Sequence, residues 1–276
     1  MADRPIVTLT TDFGFNDHFV GTVKGVILNI APEAEIVDIC HSVRPFDLLD
    51  GALTIAQAYS YFPADTVHLV VVDPGVGTAR RPLIANTERH RFVAPDNGVL
   101  SLVYRREERC RVHHITAEHY YLQPVSQTFH ARDIFAPVAA YLAKGVAPEK
   151  FGEAIVDFSR LELPQPTVVD ARTLRGVVLK VDRFGNLVTN FTPQNAAPLF
   201  QSPPPPFRIV VGKQEIHGLK ATYAEGAPGE LFAILGSMGY LEIAARQASA
   251  ARALGAGAGA GLAVDVVLDE AAEAQT

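Results

Sequence analysis

The stretch His68-Leu-Val-Val-Val-Asp-Pro-Gly-Val-Gly-Thr-Ala-Arg-Arg81 joins a short apolar run to a carboxylate, a glycine turn and two arginines. A continuous valine and leucine run of this length is typical of a strand buried on both faces of a parallel sheet. Asp73 therefore lies at the carboxyl end of that strand, where open α/β sheets bind ligands. Pro74, Gly75 and Gly77 favour a tight turn that small molecules can approach. The alternative is that Asp73 caps the loop and that the arginines are solvated.

Strand-like runs alternate with helical periodicity through the first part of the chain. Strands are expected at 5–10, 35–39, 67–72 and 91–94, and helices at 19–29, 48–61, 99–105 and 129–143. Residues 115–121 fit either a short strand or an irregular connection. Because strand and helix alternate repeatedly, the sequence predicts a doubly wound α/β domain.

The composition changes near the Pro-Gln-Pro segment at 164–166. Beyond it, short β-branched runs at 175–181, 207–211, 230–235 and 262–268 are separated by glycine, proline and asparagine turns. This pattern predicts a smaller β-barrel or sandwich. We therefore expect an α/β domain over residues 1–163, followed by a β-barrel domain over 170–276.

Composition excludes several classes of function. The 276-residue chain is 48% hydrophobic and carries a net charge of −6, which gives no general attraction to nucleic acid or to an anionic membrane. Cys40 and Cys110 show no metal-binding or CxxC spacing, and the histidines show no HxH or HExxH pattern, so no metal site is expected. With no signal segment and no apolar run of membrane-spanning length, the sequence predicts a cytoplasmic protein.

Polar residues follow several of the expected strands. Asp12 and Asp47 are candidates for binding both hydroxyls of a ribose, since a carboxylate accepts two hydrogen bonds side by side. Asp96 and Asn97 follow a further strand. Each of these residues, taken alone, is more simply a turn-stabilising side chain. Several in register at one sheet edge favour a ligand site.

His130 stands at the start of an expected helix, whose N-terminus disfavours the protonated imidazole. A neutral imidazole close to Asp73 and Arg80 would be a proton acceptor or a hydrogen-bond partner. The alternative is a histidine that caps the helix or packs in the core.

The second half contains two glycine-bearing interruptions. In the first, Asp182 is placed to meet an ammonium and Phe184 to stack on a flat ring; the alternative is a hairpin turn in which Asp182 and Asn186 bind the backbone. In the second, a strand, a glycine-flanked Ser237 and an expected helix start offer amide groups suited to a carboxylate. The Gly/Ala segment 255–261 precedes a strand, which is the reverse of a dinucleotide-binding loop.

Together these segments resemble the S-adenosylmethionine hydroxide adenosyltransferase family, relatives of enzymes that cleave the same substrate with fluoride or chloride. The resemblance is carried, in order along almost the whole chain, by residues 9–14, 45–47, 72–77 with Arg80, 94–98, 129–133, 182–186 and 239–244. It implies an N-terminal α/β domain, a C-terminal β-barrel, and a homotrimer whose ligand lies between neighbouring subunits.

The resemblance also implies roles for individual residues. Asp73, Arg80 and His130 are expected to form the hydrolytic triad. The expected substrate contacts are the ribose and its surroundings for Asp12 and Phe46, the methionine amine for Asp182 and Asn186, the methionine carboxylate for Ser237, and the adenine for Phe184, Tyr223 and the backbone around Arg246 and Gln247.

The implied reaction is attack of water on the ribose C5′ of S-adenosylmethionine, giving adenosine and L-methionine without a metal or redox cofactor. Two other functions remain open at this point. One is halide-dependent cleavage, which the Asp73 carboxylate disfavours because it repels an anion. The other is a non-catalytic sensor of S-adenosylmethionine or adenosine.

Overall fold

The fold is taken from a computed structural model and is described for residues 4–255 and 257–269. The chain forms two compact units, Met1–Glu162 and Leu163–Thr276. Across the described ranges, no helix is both long enough and apolar enough to cross a membrane.

Within the described residues, the first unit holds seven strands and four α-helices. The strands are β1 (Ile6–Thr11), β2 (Glu35–Cys40), β3 (Val67–Val71), β4 (Pro82–Thr87), β5 (Arg91–Pro95), β6 (Cys110–His114) and β7 (Ala154–Ile155), and the helices are α1 (Phe19–Ile30), α2 (Leu48–Ala58), α3 (Ser101–Arg106) and α4 (Ala136–Ala143). The strand order in the sheet is β2-β1-β3-β5-β4-β6-β7. Strands β2, β1, β3 and β5 are parallel, whereas β4, β6 and β7 pair antiparallel.

Both faces of this sheet are buried, as the alternation along β3 and the residue after it shows. Val67, Leu69 and Val71 pack in a core with residues of α1 and α4. Val70 and Val72 pack on the opposite face in a core with residues of α2 and α3. The prediction of a doubly wound α/β domain is therefore confirmed, and the apolar run that precedes Asp73 is a strand buried on both sides.

Strands β4 and β6 are not among the strands that the sequence predicts. Their local signals are weak, because β4 begins at Pro82 and β6 follows a run of charged residues ending at Arg109. The cross-strand ladder stabilises both, since β4 pairs with β5 on one side and with β6 on the other. The sheet is consequently mixed, with its parallel half carrying Asp12 and Asp73.

Three predicted segments differ in detail. The helix expected at 129–143 opens as a π-helical turn, Ala131–Phe135, before α4. The helix expected at 48–61 ends at Ala58 and continues as the 3₁₀ turn Tyr59–Tyr61. Residues 115–121 form the irregular connection, with one 3₁₀ turn at Glu118–Tyr120. Single π-helical turns are frequent at functional sites, and this one directly follows His130.

Within its described residues, the second unit is a nine-stranded, nearly barrel-shaped sheet with one short helix. The strands are β8 (Thr167–Val168), β9 (Thr173–Val181), β10 (Leu187–Thr189), β11 (Phe207–Val211), β12 (Gln214–His217), β13 (Leu219–Lys220), β14 (Leu231–Leu235), β15 (Leu241–Ala245) and β16 (Ala263–Leu268), and the helix is α5 (Ala250–Leu254). The order is β12-β11-β16-β9-β10-β15-β14-β13, with β8 paired to β9. The sheet curls until β12 contacts β14, which agrees with the expected β-barrel.

The helix start expected after Ser237 is wrong, because Leu241–Ala245 is strand β15, paired antiparallel with β14. Its side chains alternate between two clusters as a strand requires. Leu241 and Ile243 lie in the main core of the unit, and Ala244 packs with Phe232 on the other side. Ser237 therefore lies in a hairpin turn and not at a helix N-terminus.

The buried His68 in β3 predicts a pH-dependent stability. Burial first, and then the nearby His90, lower the pKa of His68 to about 3, against 6.5 for an ordinary histidine. In the unfolded chain His68 therefore binds a proton near pH 6.5, whereas in the folded chain it binds one only near pH 3. As the pH falls between these values, we expect His68 to reduce the free energy of unfolding by about 1.4 kcal/mol per pH unit.

Denaturant unfolding at a series of pH values measures this slope in the wild type and in His68→Asn, whose amide can still bond to the hydroxyl of Thr8, 2.7 Å from Nδ1 in the wild type. In His68→Asn, the slope of the free energy of unfolding against pH is expected to decrease by the contribution of one proton, about 1.4 kcal/mol per pH unit. The exposed His217, replaced by Asn, is the matched control and should leave the slope unchanged. An unaltered slope in His68→Asn contradicts the assignment.

Candidate active site

Asp73 and Arg80 form a buried ion pair at the carboxyl edge of the first sheet. Asp73 lies two residues beyond the end of β3, and the loop through Gly75 and Gly77 returns the chain so that Arg80 faces it. Arg80 Nη2 donates to Asp73 Oδ2 at 2.5 Å, and Nε lies 3.1 Å from both carboxylate oxygens. The two side chains are only 6% and 9% exposed. The alternative of a solvated arginine is therefore wrong for Arg80.

Gly77 explains part of this loop geometry. Its φ of 78° lies in the left-handed region, and a Cβ built there would come within 2.3 Å of the Gln127 carbonyl oxygen. The loop after Asp73 thus packs directly on the segment that leads to His130. A side chain at position 77 would separate the two segments.

His130 completes the cluster. Its Nδ1 lies 2.8 Å from Arg80 Nη2. A guanidinium group can only donate, so Nδ1 must accept and the ring is neutral, with its proton on Nε2. Burial and then the positive charge of Arg80 lower the pKa of His130, which agrees with the neutral form. The structure thus brings Asp73, Arg80 and His130 into contact.

Asp12 follows β1, the parallel neighbour of β3, and therefore lies at the same sheet edge. Its Oδ2 accepts the backbone N–H of Phe46 at 2.9 Å, and Phe46 has an unusual φ of 66°. Burial raises the pKa of Asp12, and the charge of Asp73 raises it further. A phenylalanine in the left-handed region is strained, and strain of this kind clusters at binding sites. The Phe46 side chain itself is exposed.

The other strand-end residues bind the protein itself. Asp47 caps α2 by accepting the N–H of Asp50 at 3.0 Å. Asp96 accepts Arg81 Nε at 2.8 Å, and Asn97 donates to the Val72 carbonyl at 2.8 Å. For these three residues, the turn-stabilising alternative describes the observed contacts.

In the second unit, Asp182 organises the bend between β9 and β10. Its Oδ1 accepts the N–H groups of Phe184 and Asn186, and its Oδ2 accepts the Asn186 side-chain amide at 2.9 Å. The hairpin-turn alternative is therefore what the hydrogen bonds show. The carboxylate keeps unused lone pairs, and the Phe184 ring is 78% exposed, so both can still meet a ligand.

A buried carboxylate that the sequence analysis did not single out lies nearby. Glu242 in β15 is 5% exposed and accepts the Tyr223 hydroxyl at 2.9 Å. Burial raises the pKa of Glu242, and the charge of Asp182 raises it further. The only available signal was a carboxylate inside the otherwise apolar run 241–245. Glu242 thus links two residues that were expected to bind substrate.

The remaining expected substrate residues lie around the β14–β15 hairpin and its continuation. Ser237 is exposed in the turn. Arg246 Nη1 donates to the Gly226 carbonyl at 2.9 Å, and the Arg246 carbonyl accepts the N–H of Gly229. Gln247 is exposed and has a φ of 53°. The Arg246 carbonyl is therefore already engaged by the protein's own backbone.

Two surface cavities, of about 500 and 470 Å³, lie elsewhere. Neither is lined by Asp73, Arg80 or His130. Within residues 4–255 and 257–269, no group of three His, Cys, Asp or Glu side chains is arranged to hold a metal ion. The candidate site is therefore defined by its chemistry and not by cavity size.

Comparison with known proteins decides the family. Two family models match the chain, the SAM hydroxide adenosyltransferase N-terminal domain over residues 7–152 and the C-terminal domain over residues 176–263. The chain belongs to the SAM hydroxide adenosyltransferase family.

Relatives of this SAM hydroxide adenosyltransferase family member include the (R)-S-adenosyl-L-methionine hydrolase of Salinispora tropica, 39% identical over 92% of this chain and 95% of that protein. The fluorinase of Nocardia brasiliensis is more distant, at 30% identity over 90% of this chain and 92% of that protein. An uncharacterised conserved protein from Thermotoga maritima has a crystal structure with a TM-score of 0.85 and 36% identity, covering 95% of this chain and 99% of that one.

The contact between Gly236 and Glu242 gives a stability prediction. A Cβ at position 236 would lie 2.0 Å from Glu242 Oε1, and the buried Glu242 side chain has little room to move aside. We expect Gly236→Ala to lower the free energy of unfolding by about 2 kcal/mol, the usual scale of overpacking. Gly259→Ala is the control, since nothing lies within 4 Å of its Cβ position. Equal midpoints for both variants in denaturant unfolding contradict this account.

Proposed function

We propose that this protein hydrolyses S-adenosyl-L-methionine at the bond between the sulfonium and the ribose C5′, giving adenosine and L-methionine. The observation that carries the proposal is the cluster of Asp73, Arg80 and His130 at the carboxyl edge of the sheet. Support also comes from membership of the SAM hydroxide adenosyltransferase family and from relatives named (R)-S-adenosyl-L-methionine hydrolase.

The chemistry requires an activated water more than an acid. The leaving group departs from the sulfonium as a neutral thioether, so it needs no proton. Water is the weak partner, because its bulk pKa of about 15.7 makes hydroxide scarce. Arg80, permanently cationic, stabilises the hydroxide character that develops during attack. Attack of a partial anion on a cation cancels charge, which a water-poor pocket favours.

The hydrogen bonds support Asp73 as the proton acceptor. The Arg80 guanidinium has no lone pair, and the Nδ1 lone pair of His130 is used by Arg80. The Asp73 carboxylate keeps unused lone pairs after accepting from Arg80. Asp73 is therefore the base that takes the water proton, while His130 holds the guanidinium in place and offers Nε2–H. No metal or redox cofactor is needed for this displacement.

The substrate roles follow the resemblance and fit the contacts of each unit. In the first unit, Asp12 binds the ribose hydroxyls and Phe46 lines the sugar or sulfonium region. In the second, Asp182 and Asn186 bind the methionine amine and Ser237 binds its carboxylate. Phe184 and Tyr223 flank the adenine, and the backbone around Arg246 and Gln247 reads its edge. The exposed ring of Phe184 and the unused lone pairs of Asp182 support these roles. We further propose a homotrimer, which light scattering would test.

Turnover in H₂¹⁸O tests the reaction. Attack at C5′ places the solvent oxygen in the 5′-hydroxyl of adenosine, so mass spectrometry should find ¹⁸O in adenosine and none in methionine. Arg80→Ala is expected to reduce kcat by about 10²–10³, since it removes the preorganised charge, and Asp73→Asn by about 10²–10⁴, since it removes the base. Arg91→Ala, which breaks the pair with the exposed Asp65, is the charge-matched control.

Other outcomes distinguish the competing functions. Chloride-dependent formation of 5′-chloro-5′-deoxyadenosine would favour the halide-using reaction. Binding of S-adenosylmethionine with no product would favour a sensor. Equal kcat for Arg80→Ala and the wild type removes Arg80 from the mechanism.

The neutral His130 predicts the acid limb of the pH profile. The pKa of His130 lies below the ordinary 6.5 of a histidine. We therefore expect kcat to stay level near neutral pH and to fall only when the pH approaches this lowered pKa. Protonated His130 cannot accept the Arg80 hydrogen bond, so the cluster opens. In His130→Asn the amide oxygen can accept from Arg80 without titrating, and the acid limb should move to lower pH. An unchanged limb assigns the titration to another group.

A further inference from the structure

Behind the Asp12 segment, four side chains from different elements form a continuous chain of contacts. Lys24 of α1 donates from Nζ to Asp38 Oδ2 at 2.6 Å. Asp38 of β2 has its other oxygen, Oδ1, 3.0 Å from Nε2 of His41. His41 Nδ1 lies 2.7 Å from the hydroxyl of Thr11, the last residue of β1. The chain therefore ends on the residue that precedes Asp12.

The His41 ring makes two side-chain contacts of different kinds. His41 Nε2 faces Asp38 Oδ1 at 3.0 Å, but among the described residues it has no partner in hydrogen-bonding geometry, so this link is a close contact and not a hydrogen bond. His41 Nδ1 and the Thr11 hydroxyl share a buried hydrogen bond of 2.7 Å. The same hydroxyl oxygen accepts the backbone N–H of Phe13 at 3.3 Å. The Thr11 hydroxyl is thereby held from two sides, by the His41 ring and by the backbone of Phe13.

The inner half of the chain is buried and its outer half is partly open. His41 is 1% exposed and Thr11 is 2% exposed, whereas the Lys24 and Asp38 side chains are each 31% exposed. Buried polar groups that keep all their partners rigidify a structure, because losing one partner leaves the other without a substitute in water. Within this chain, the hydrogen bond between His41 and Thr11 is the buried one, and water does not readily replace it.

His41 also holds the far side of Asp12. Its backbone carbonyl accepts the N–H of Gly14 at 2.7 Å. The Phe15 ring packs edge-on against the His41 ring, with centroids 4.9 Å apart. Together with the bond from Phe13 to Thr11, these contacts grip the segment before and after Asp12. The Asp12 carboxylate has one further restraint, the N–H of Phe46.

We propose that Thr11 and His41 are positioning residues that fix the Asp12 carboxylate for the sugar hydroxyls of the ligand. This inference rests on the proposed function, in which Asp12 binds the ribose. Neither residue touches the reacting atoms. Their contribution is to ligand affinity, through the geometry of one carboxylate.

The neighbouring Thr10 supplies a matched control. It lies in the same strand and is fully buried, but among the described residues its hydroxyl has no hydrogen-bond partner. Thr→Val is nearly isosteric, so Thr11→Val and Thr10→Val each delete one buried hydroxyl from β1. Only the first deletion breaks the chain from His41 to the Asp12 segment. Thr11→Ser keeps the hydroxyl and is the conservative rescue.

Steady-state kinetics with S-adenosylmethionine separates positioning from stability. An interaction made equally in the ground state and the transition state affects KM and not kcat. We expect Thr11→Val to raise KM roughly tenfold, the scale of one broken buried hydrogen bond, with kcat retained. Thr11→Ser and Thr10→Val should match the wild type. Asp38→Asn changes the partly exposed end of the chain and should raise KM less than Thr11→Val does. It provides a second test if the buried substitution Thr11→Val prevents folding.

A purely structural role predicts a different pattern. Partial unfolding reduces the active fraction, which lowers apparent kcat and leaves KM unchanged, and that result overturns the inference. Equal KM for Thr11→Val and Thr10→Val overturns it as well. Amide hydrogen exchange at Phe13 and Gly14 should accelerate in Thr11→Val alone, which reports the loosened segment directly.

Adenosine binding by calorimetry separates this inference from the proposed function. If the wild type binds adenosine but does not hydrolyse S-adenosylmethionine, the hydrolase proposal fails. The adenosine Kd of Thr11→Val, expected to rise by the same factor, then decides the positioning inference alone. If the wild type neither turns over S-adenosylmethionine nor binds adenosine, both proposals fail.

Discussion

The buried pair of Asp73 and Arg80 is the interaction on which the proposed site depends. Removing two charges from water is costly, and each side chain is stable there only because the other compensates it through several hydrogen bonds. The pairing also uses the geometry of a guanidinium, which reaches a carboxylate and a histidine nitrogen at once. A lysine would make a point contact and could not hold both partners in one plane.

The parallel half of the sheet turns this pair into a site. Because β1 and β3 run parallel as neighbours, the residues that follow them, Asp12 and Asp73, emerge at the same edge. Burial contributes most to the raised pKa of Asp12, and the nearby charge of Asp73 raises it further. Because Arg80 compensates the charge of Asp73, Asp12 is the carboxylate at this edge whose charge no arginine of the described residues pairs, and a negative charge there would suit the proposed sulfonium substrate and disfavour a halide ion.

Part of this arrangement could be predicted from short stretches of the sequence. The apolar run before Asp73 indicated a doubly buried strand, and the glycines after it indicated a tight turn. The expected helix after Ser237 failed because a short apolar segment fits either period, and the barrel core selected the strand. Strands β4 and β6 went unpredicted because their local signals are weak, and because β4 is held between the adjacent strand β5 and the more distant strand β6. Glu242 was missed because its partner, Tyr223, is 19 residues away in the chain.

The sequence by itself determined the alternation of strands and helices, the polar residues at strand ends and the family resemblance, because these are written in local order. The sequence could name Asp73, Arg80 and His130. It could not show that Arg80 and His130, which are 50 residues apart in the chain, lie within hydrogen-bonding distance. Only the tertiary structure decided that contact, the tautomer of His130 and the chain from Lys24 to Thr11. The physical reason is that these bonds join side chains from different elements, and their distances are set by how the sheet and its helices pack.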